Sequence, residues 1–228
     1  MSVSLEFSKC ASQYASYNII QKRVAQKILS YVKDIQPKKI LDLGCGDGVI
    51  FRGIDWEIES FIGVDFALGM LDIHPKSQNV KAIYGDFNNA KFFEDLKEVE
   101  FDIIISASSL QWADDLDMVF KHLKFFDKPM ALAIFTSSTF KTINKTASLN
   151  SILPSKEDIY LLQKKYFDAD FQTMQYKLEF KSNLEMFRYI KKSGVSGSRN
   201  ILGYKDIKKL IESYPLKYLE FEVAFIFA

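Results

Sequence analysis

The stretch from Lys39 to Asp65 leaves little choice of architecture. Lys39-Ile-Leu-Asp-Leu43 is a strand-sized apolar run that passes without a spacer into Gly44-Cys-Gly-Asp-Gly48, and a second such run, Phe61-Ile-Gly-Val-Asp65, follows one helix-length later. Alternate glycines at a strand end permit a tight turn with positive φ and let another molecule approach the backbone without meeting a Cβ. The turn feeds the N-terminus of the next helix, whose free N–H groups and dipole favour an anionic group. Open α/β sheets bind ligands at this place, beyond the carboxyl edge where the strand order reverses.

The alternation continues downstream. Val80–Tyr84, Phe101–Ser106 and Met130–Phe135 read as buried parallel strands, and Val49–Ile54, Leu68–Ile73 and Leu116–Phe126 as the helices between them. The expectation is a doubly wound α/β sheet covered on both faces. Ahead of it, residues 1–36 should be N-terminal helices, because Ile20, Val24, Ile28 and Tyr31 stand at helical spacing. Beyond the core at 37–136 the rhythm changes. Phe140–Ser151, Ser155–Phe167, Asn183–Lys192 and Tyr204–Ser213 read as helices, Phe171–Phe180 as a strand, and Tyr218–Phe227 as a final strand. Residues 137–215 are expected to hold a helical cap and substrate region, and 216–228 the last strand, all within a single domain of 1–228.

A length of 228 residues suits one large domain. The formal charge of +1 gives no global attraction to nucleic acid. No apolar run approaches the ~20 residues needed to cross a bilayer, and the first residues lack the basic-then-apolar order of a signal peptide; the chain reads as cytoplasmic, without a membrane partner. Cys10 and Cys45 form no metal-binding pattern and read as free thiols, while His74 and His122 read as solvated surface groups. Charge is uneven in one place: from Lys181 to Ser213 eight basic residues face three acidic ones. That excess is either a solvated helical face or a docking patch for an acidic partner.

A dinucleotide loop reads G-x-G-x-x-G, and here its third glycine would fall on Val49. What remains suits a cofactor with no pyrophosphate. Asp65, at the end of the second strand, can accept hydrogen bonds from ribose hydroxyls. Asp86, in Tyr84-Gly-Asp-Phe87, is placed to hold an adenine amine while Phe87 or Phe66 packs on the ring. The backbone at Ser106 should flank the far end of the cofactor, and Trp112 either walls the transfer site or packs in the core.

These motifs together, DLGCGDG, GVDFALGML, YGDF and FDIIISASSLQW, resemble the seven-stranded S-adenosylmethionine-dependent methyltransferases with a Rossmann-like, mostly parallel sheet, from Ile40 to about Phe135. Phe7-Ser-Lys-Cys-Ala-Ser-Gln-Tyr14 with Gln21 downstream, Leu184-Glu-Met-Phe-Arg188-Tyr-Ile-Lys191-Lys-Ser-Gly194 and the closing strand look like the malonyl–acyl-carrier-protein O-methyltransferases of biotin synthesis. The resemblance implies S-adenosylmethionine as cofactor, held by Tyr14, Asp42, Gly44, Cys45, Gly46, Gly48, Asp65, Phe66, Met70, Asp86, Phe87 and Ser106. It also implies an acceptor carboxylate that attacks without a general base, so no catalytic acid or base and no metal is expected. Trp112, Arg188 and Lys191 are the candidates for the acceptor side; Arg188 would offer a planar fork to the carboxylate, or is a surface arginine. Tyr14 and Tyr17 either close over the cofactor or pack on the sheet. The acceptor is an acyl-carrier protein or a small carboxylic acid; a quinone or lipid-precursor methyltransferase and a non-catalytic cofactor-binding assembly protein stay open as alternatives.

Overall fold

A computed structural model describes residues 4, 5, 7, 8, 11, 17–192 and 204–228. Its elements, in chain order, are α1 (Ile19–Val32), β1 (Lys39–Leu43), α2 (Val49–Gly53), β2 (Ser60–Asp65), α3 (Leu68–Ile73), β3 (Val80–Tyr84), α4 (Ala90–Asp95) and β4 (Ile103–Ala107). There follow α5 (Leu116–Phe125), β5 (Met130–Phe135), α6 (Lys141–Thr146), α7 (Lys156–Tyr166), β6 (Asp170–Glu179), α8 (Asn183–Lys192), α9 (Tyr204–Ser213) and β7 (Tyr218–Phe227). The strands form one seven-stranded sheet in the order β3-β2-β1-β4-β5-β7-β6. Five are parallel, and β7 runs antiparallel to both β5 and β6.

Successive strand residues point to opposite faces, and the central strands are apolar on both. Ile40, Ile103, Ile105 and Ala131 join Ile20, Val24 and Ile28 of α1 in one core. Leu41, Ile104, Leu132 and Ile134 join Val119, Phe120 and Leu123 of α5 in the other. This double burial is why the inner strands read as unbroken hydrophobic runs, and it makes the sheet doubly wound as expected.

Several boundaries differ from the sequence expectation. β4 starts at Ile103 because the Asp102 carboxylate turns aside to accept the Lys38 and Lys39 backbone N–H groups, at 2.9 and 2.8 Å. The helix expected over Phe140–Ser151 is only α6, entered through Phe140 at a φ of 57°. The short α4 was not anticipated; it is capped by the Asn89 side chain, which accepts from the Lys91 N–H. Not all of the region after β5 caps the sheet: α7 packs on α5 and β7 as an ordinary covering helix. Met186 and Tyr189 of α8 and the following Tyr214 enter the core beneath α1.

Neither histidine is a solvated group. His74 is buried, its ring 5.9 Å from that of Phe61, and its Nδ1 donates to the Pro75 carbonyl at 2.7 Å. His122 lies flat on Phe93 with ring centroids 4.7 Å apart. An imidazole ring is flat and packs like a small aromatic. Burial holds the His74 pKa below its usual value, the Pro75 carbonyl opposing the shift.

Candidate functional site

The carboxyl ends of β1, β2 and β4 meet where the strand order reverses, and the glycine loop closes over them. Gly44 and Cys45 both donate their N–H to the Val64 carbonyl, at 2.7 and 3.0 Å, tying the loop to β2. Gly44 has a φ of +76°, and a Cβ there would sit 2.1 Å from the Ser109 Cβ, so glycine is required twice over. Next to it the Asp65 carboxylate accepts the Gly46 N–H on Oδ2 at 2.9 Å and the Ala67 N–H on Oδ1 at 2.8 Å. Each oxygen keeps a further lone pair. Burial pushes the Asp65 pKa up to about 6, against those backbone donors.

A cavity of about 630 Å³, partly open to solvent, lies against this loop. It has two chemically distinct ends. At the β2–β3 side, Phe66 and Phe87 stand roughly parallel with centroids 6.4 Å apart, backed by Val64 and Met70. At the β4 side the wall is Ala107, Ser108 and Trp112, with Gln21 reaching in from α1. Trp112 meets Phe7 edge to face at 6.1 Å. Ser108 is held at a φ of +67°, and its buried Oγ has no hydrogen-bond partner. The same holds for Gln21 Oε1 and Asp47 Oδ1, which also border the cavity. Unpaired buried polar atoms are costly, and three of them belong to residues around this one cavity.

The structure brings together Gly44, Cys45, Gly46, Asp65, Phe66, Met70, Phe87 and Trp112 on the cavity wall. The Cys45 thiol is buried there and its pKa is driven far up by desolvation. Other expected residues stand off the wall. Asp42 lies beneath the loop, fully buried with both oxygens unpartnered, and burial, reinforced by Asp65, pushes its pKa up to about 8. Gly48 turns toward Pro75 and His74. Asp86 bends back to accept the Asn88 N–H at 2.9 Å, leaving Gly85 and Phe87 to face the cavity. Ser106 is sealed behind the wall, donating to the Leu43 carbonyl at 2.8 Å and bonded to Ser109 Oγ at 2.7 Å. The chain emerges one residue later, at Ala107. Arg188 and Lys191 are exposed on α8 and do not line the cavity. Tyr14 lies outside the described residues. Tyr17 packs against Tyr189 at 6.0 Å, and its hydroxyl meets Lys192 Nζ at 3.1 Å.

Sequence reasoning did not assign Gln21, Asp47 or Ser108 to the site. Gln21 had a signal of its own, as a lone polar residue beside the apolar stripe of α1, flanked by Ile20 and Val24. Among the described residues no group of three metal-ligating side chains occurs, and no helix is long and apolar enough to cross a membrane.

A family model described as a methyltransferase domain matches residues 40–129, the span that carries the loop, Asp65, Phe87 and Trp112. The chain carries a methyltransferase domain. It is 32% identical over 163 residues to malonyl-[acyl-carrier protein] O-methyltransferase 2 of Ilyobacter polytropus, covering 68% of this chain and 61% of that protein. To the malonyl-[acyl-carrier protein] O-methyltransferase of Bacillus cereus it is 31% identical over 153 residues, 60% of this chain and 54% of the other. The match thus spans less than two thirds of either relative. Around the methyltransferase domain the whole fold is shared with an S-adenosylmethionine-dependent methyltransferase of Thermotoga maritima, at a TM-score of 0.56, 16% identity and 98% of each chain.

Proposed function

We propose that this chain transfers a methyl group from S-adenosylmethionine to a carboxylate oxygen, the acceptor being the free carboxyl of a malonyl-acyl-carrier protein. The observation that carries the reading is the two-ended cavity. The Phe66–Phe87 slot suits an adenine, the spare lone pairs of Asp65 suit the ribose hydroxyls, and the unpartnered groups near β4 suit an amino-acid end. The relatives' names supply the acceptor.

When bound, the cofactor supplies a methyl group activated by its sulfonium. The chain's part is then positioning and exclusion of water. A carboxylate with a pKa of ~4 is already ionised at neutral pH, so no general base is required; approximation alone contributes roughly 7–11 kcal/mol. Phe7 and Trp112 form the apolar wall that keeps water from the reacting oxygen. Arg188, Lys191 and Lys192 give α8 a basic exposed side, and Lys192 meets Tyr17, four residues before Gln21 of the cavity wall. That surface suits an acidic carrier protein.

Calorimetry should find binding of S-adenosylmethionine and S-adenosylhomocysteine and none of NAD; micromolar NAD binding with no sulfonium binding would overturn the reading. Turnover of labelled cofactor against malonyl-acyl-carrier protein, malonyl-CoA and free dicarboxylic acids identifies the acceptor. Added salt should lower kcat/KM more steeply for the carrier protein than for malonyl-CoA, because exposed charges are screened. Equal salt dependence would remove the basic surface from the account.

A further inference from the structure

The segment that walls the β4 end of the cavity is held from two sides. Ser108, Ser109 and Trp112 line the cavity, whereas Gln111 among them does not. Gln111 is 7% exposed, and both ends of its amide are bonded. On one side, Ser109 Oγ donates to the Leu43 carbonyl at 2.7 Å and ties the segment to β1. On the other, Gln111 Nε2 donates to the Ser108 carbonyl at 2.6 Å, and Gln111 Oε1 accepts the Phe135 N–H of β5 at 3.5 Å.

Those two bonds stand where a rung of the sheet is missing. β4 and β5 pair in parallel as far as Ala107 opposite Ala133, and the Ser108 N–H donates to the Ala133 carbonyl at 3.0 Å. In a parallel ladder the next rung runs from the N–H two residues further along β5 back to the carbonyl of the same residue, here from Phe135 to Ser108. These are the two groups that Gln111 engages. Its carboxamide carries a donor and an acceptor, as a peptide does, and is spliced into the ladder in place of that rung. The strands part there instead of zipping. Ser108 leaves β4 at a φ of +67°, a conformation that costs a serine energy and persists only where neighbours enforce it. The single turn Leu110–Trp112 then sets Trp112 against Phe7.

We infer that Gln111 is a positioning residue for the amino-acid end of the cofactor. This rests on the methyl-transfer reading above. By parting β4 from β5, Gln111 keeps Ser108 and Trp112 where they wall that end of the cavity, and it does so without touching the ligand. The adenine slot of Phe66 and Phe87 lies at the β2–β3 side and depends on neither of its bonds. A change at Gln111 therefore acts on one half of the cofactor and spares the other.

The test titrates the full chain by calorimetry with two probes, S-adenosylhomocysteine and methylthioadenosine. The second keeps the adenine, ribose and sulfur and lacks the amino-acid end, and neither depends on the identity of the methyl acceptor. Gln111→Met is of similar length but cannot bridge the strands. It should weaken S-adenosylhomocysteine binding by about 5- to 30-fold and methylthioadenosine binding by no more than about twofold, because sites without shared partners rarely couple. Gln111→Glu gives a second reading that survives poor folding of the first variant. A protonated carboxyl offers one O–H and one carbonyl oxygen, the pattern of the amide, whereas an ionised one has nothing to donate to Ser108. The ratio of the two affinities in Gln111→Glu should approach that of wild type at about pH 5 and fall away by about pH 8, since burial raises a carboxyl pKa into that range. Taking the ratio cancels the titration of Asp65, which both probes meet through the ribose. A merely structural Gln111 predicts equal losses for the two probes, or a lowered Tm with both affinities kept. Either result, or a ratio in Gln111→Glu that does not change with pH, would overturn the inference. Wild-type protein that binds neither probe would instead sink the methyltransferase reading itself, which keeps the two failures apart.

Discussion

Replacing Asp42 by asparagine should make the protein more stable, and increasingly so as the pH rises. The carboxyl lies under the glycine loop with no exposed surface and no hydrogen-bond partner, and burial, then Asp65, raises its pKa from 3.8 to about 8. A raised pKa means that the folded state holds a proton which the unfolded chain has released. The contribution is therefore fully present below pH 3.8 and is lost as the pH rises through about 8. Each pH unit between those limits removes about 1.4 kcal/mol, or roughly 3 kcal/mol by pH 6 and several more by pH 8. An asparagine side chain cannot ionise and escapes this loss, although its unpartnered amide offsets about 1 kcal/mol of the gain. Urea unfolding of wild type and Asp42→Asn from pH 4 to pH 8 reads the difference directly. The two should nearly coincide at pH 4 and diverge by more than ~2 kcal/mol at pH 8. A gap that does not change with pH would refute the reasoning, because it would mean that Asp42 is ionised in the folded protein.

Asp65→Ala should weaken S-adenosylhomocysteine binding about 10- to 150-fold, the worth of hydrogen bonds to a charged acceptor; unchanged affinity by calorimetry would make the carboxylate only a brace for the Gly46 and Ala67 N–H groups. His74 has its pKa lowered by burial, so its stabilising contribution is present above the ordinary ~6.5 and lost as the pH falls. His74→Asn, which keeps a donor for the Pro75 carbonyl and takes up no proton, should flatten the fall in Tm below pH ~6.5; an identical fall in both proteins would discount it. Gly44→Ala, with its Cβ 2.1 Å from that of Ser109, should abolish cofactor binding and lower stability by more than about 1 kcal/mol, whereas a wild-type Tm would show that the loop shifts freely.

The parallel core was legible because its strands are buried on both faces, and short apolar runs such as Ile103-Ile104-Ile105 have no other stable home. Gly44 and Asp65 were legible for a related reason: a strand end in this topology has one direction in which to present a side chain. Ser106 and Asp86 show where that logic slips. One residue along an extended strand changes the face, so an expectation good to one residue put Ser106 in a wall that begins at Ala107. Asp86 was read as free to meet a ligand, but a short carboxylate in a turn bonds the backbone two residues on. Arg188 was a candidate for the acceptor from the resemblance and its chemistry, with a surface arginine as the other reading, and nothing in its spacing says which side of α8 packs inward; the buried side is that of Met186 and Tyr189, and Arg188 is exposed. Gln21 was missed because a polar residue in the first turn of a helix is ordinarily part of its capping.

The position of β7 has a consequence for how the polypeptide comes together. Strands β1 to β5 find neighbours among themselves, but among the described residues β6 pairs with β7 alone, and β7 lies some forty residues further along the sequence. During synthesis β6 therefore waits, fully made and with neither edge occupied, while β5 also exposes the edge that β7 will take. Unpaired strands in a waiting chain invite pairing with other molecules. The composition of β6 meets that hazard, since Gln172, Thr173, Gln175 and Lys177 break up its apolar positions, whereas β7, which arrives last and is buried at once, carries the Val223-Ala-Phe-Ile-Phe227 run. Exchanging the sequences of the two strands would leave the finished sheet with the same count of apolar residues, yet would place the stickier strand in solution first.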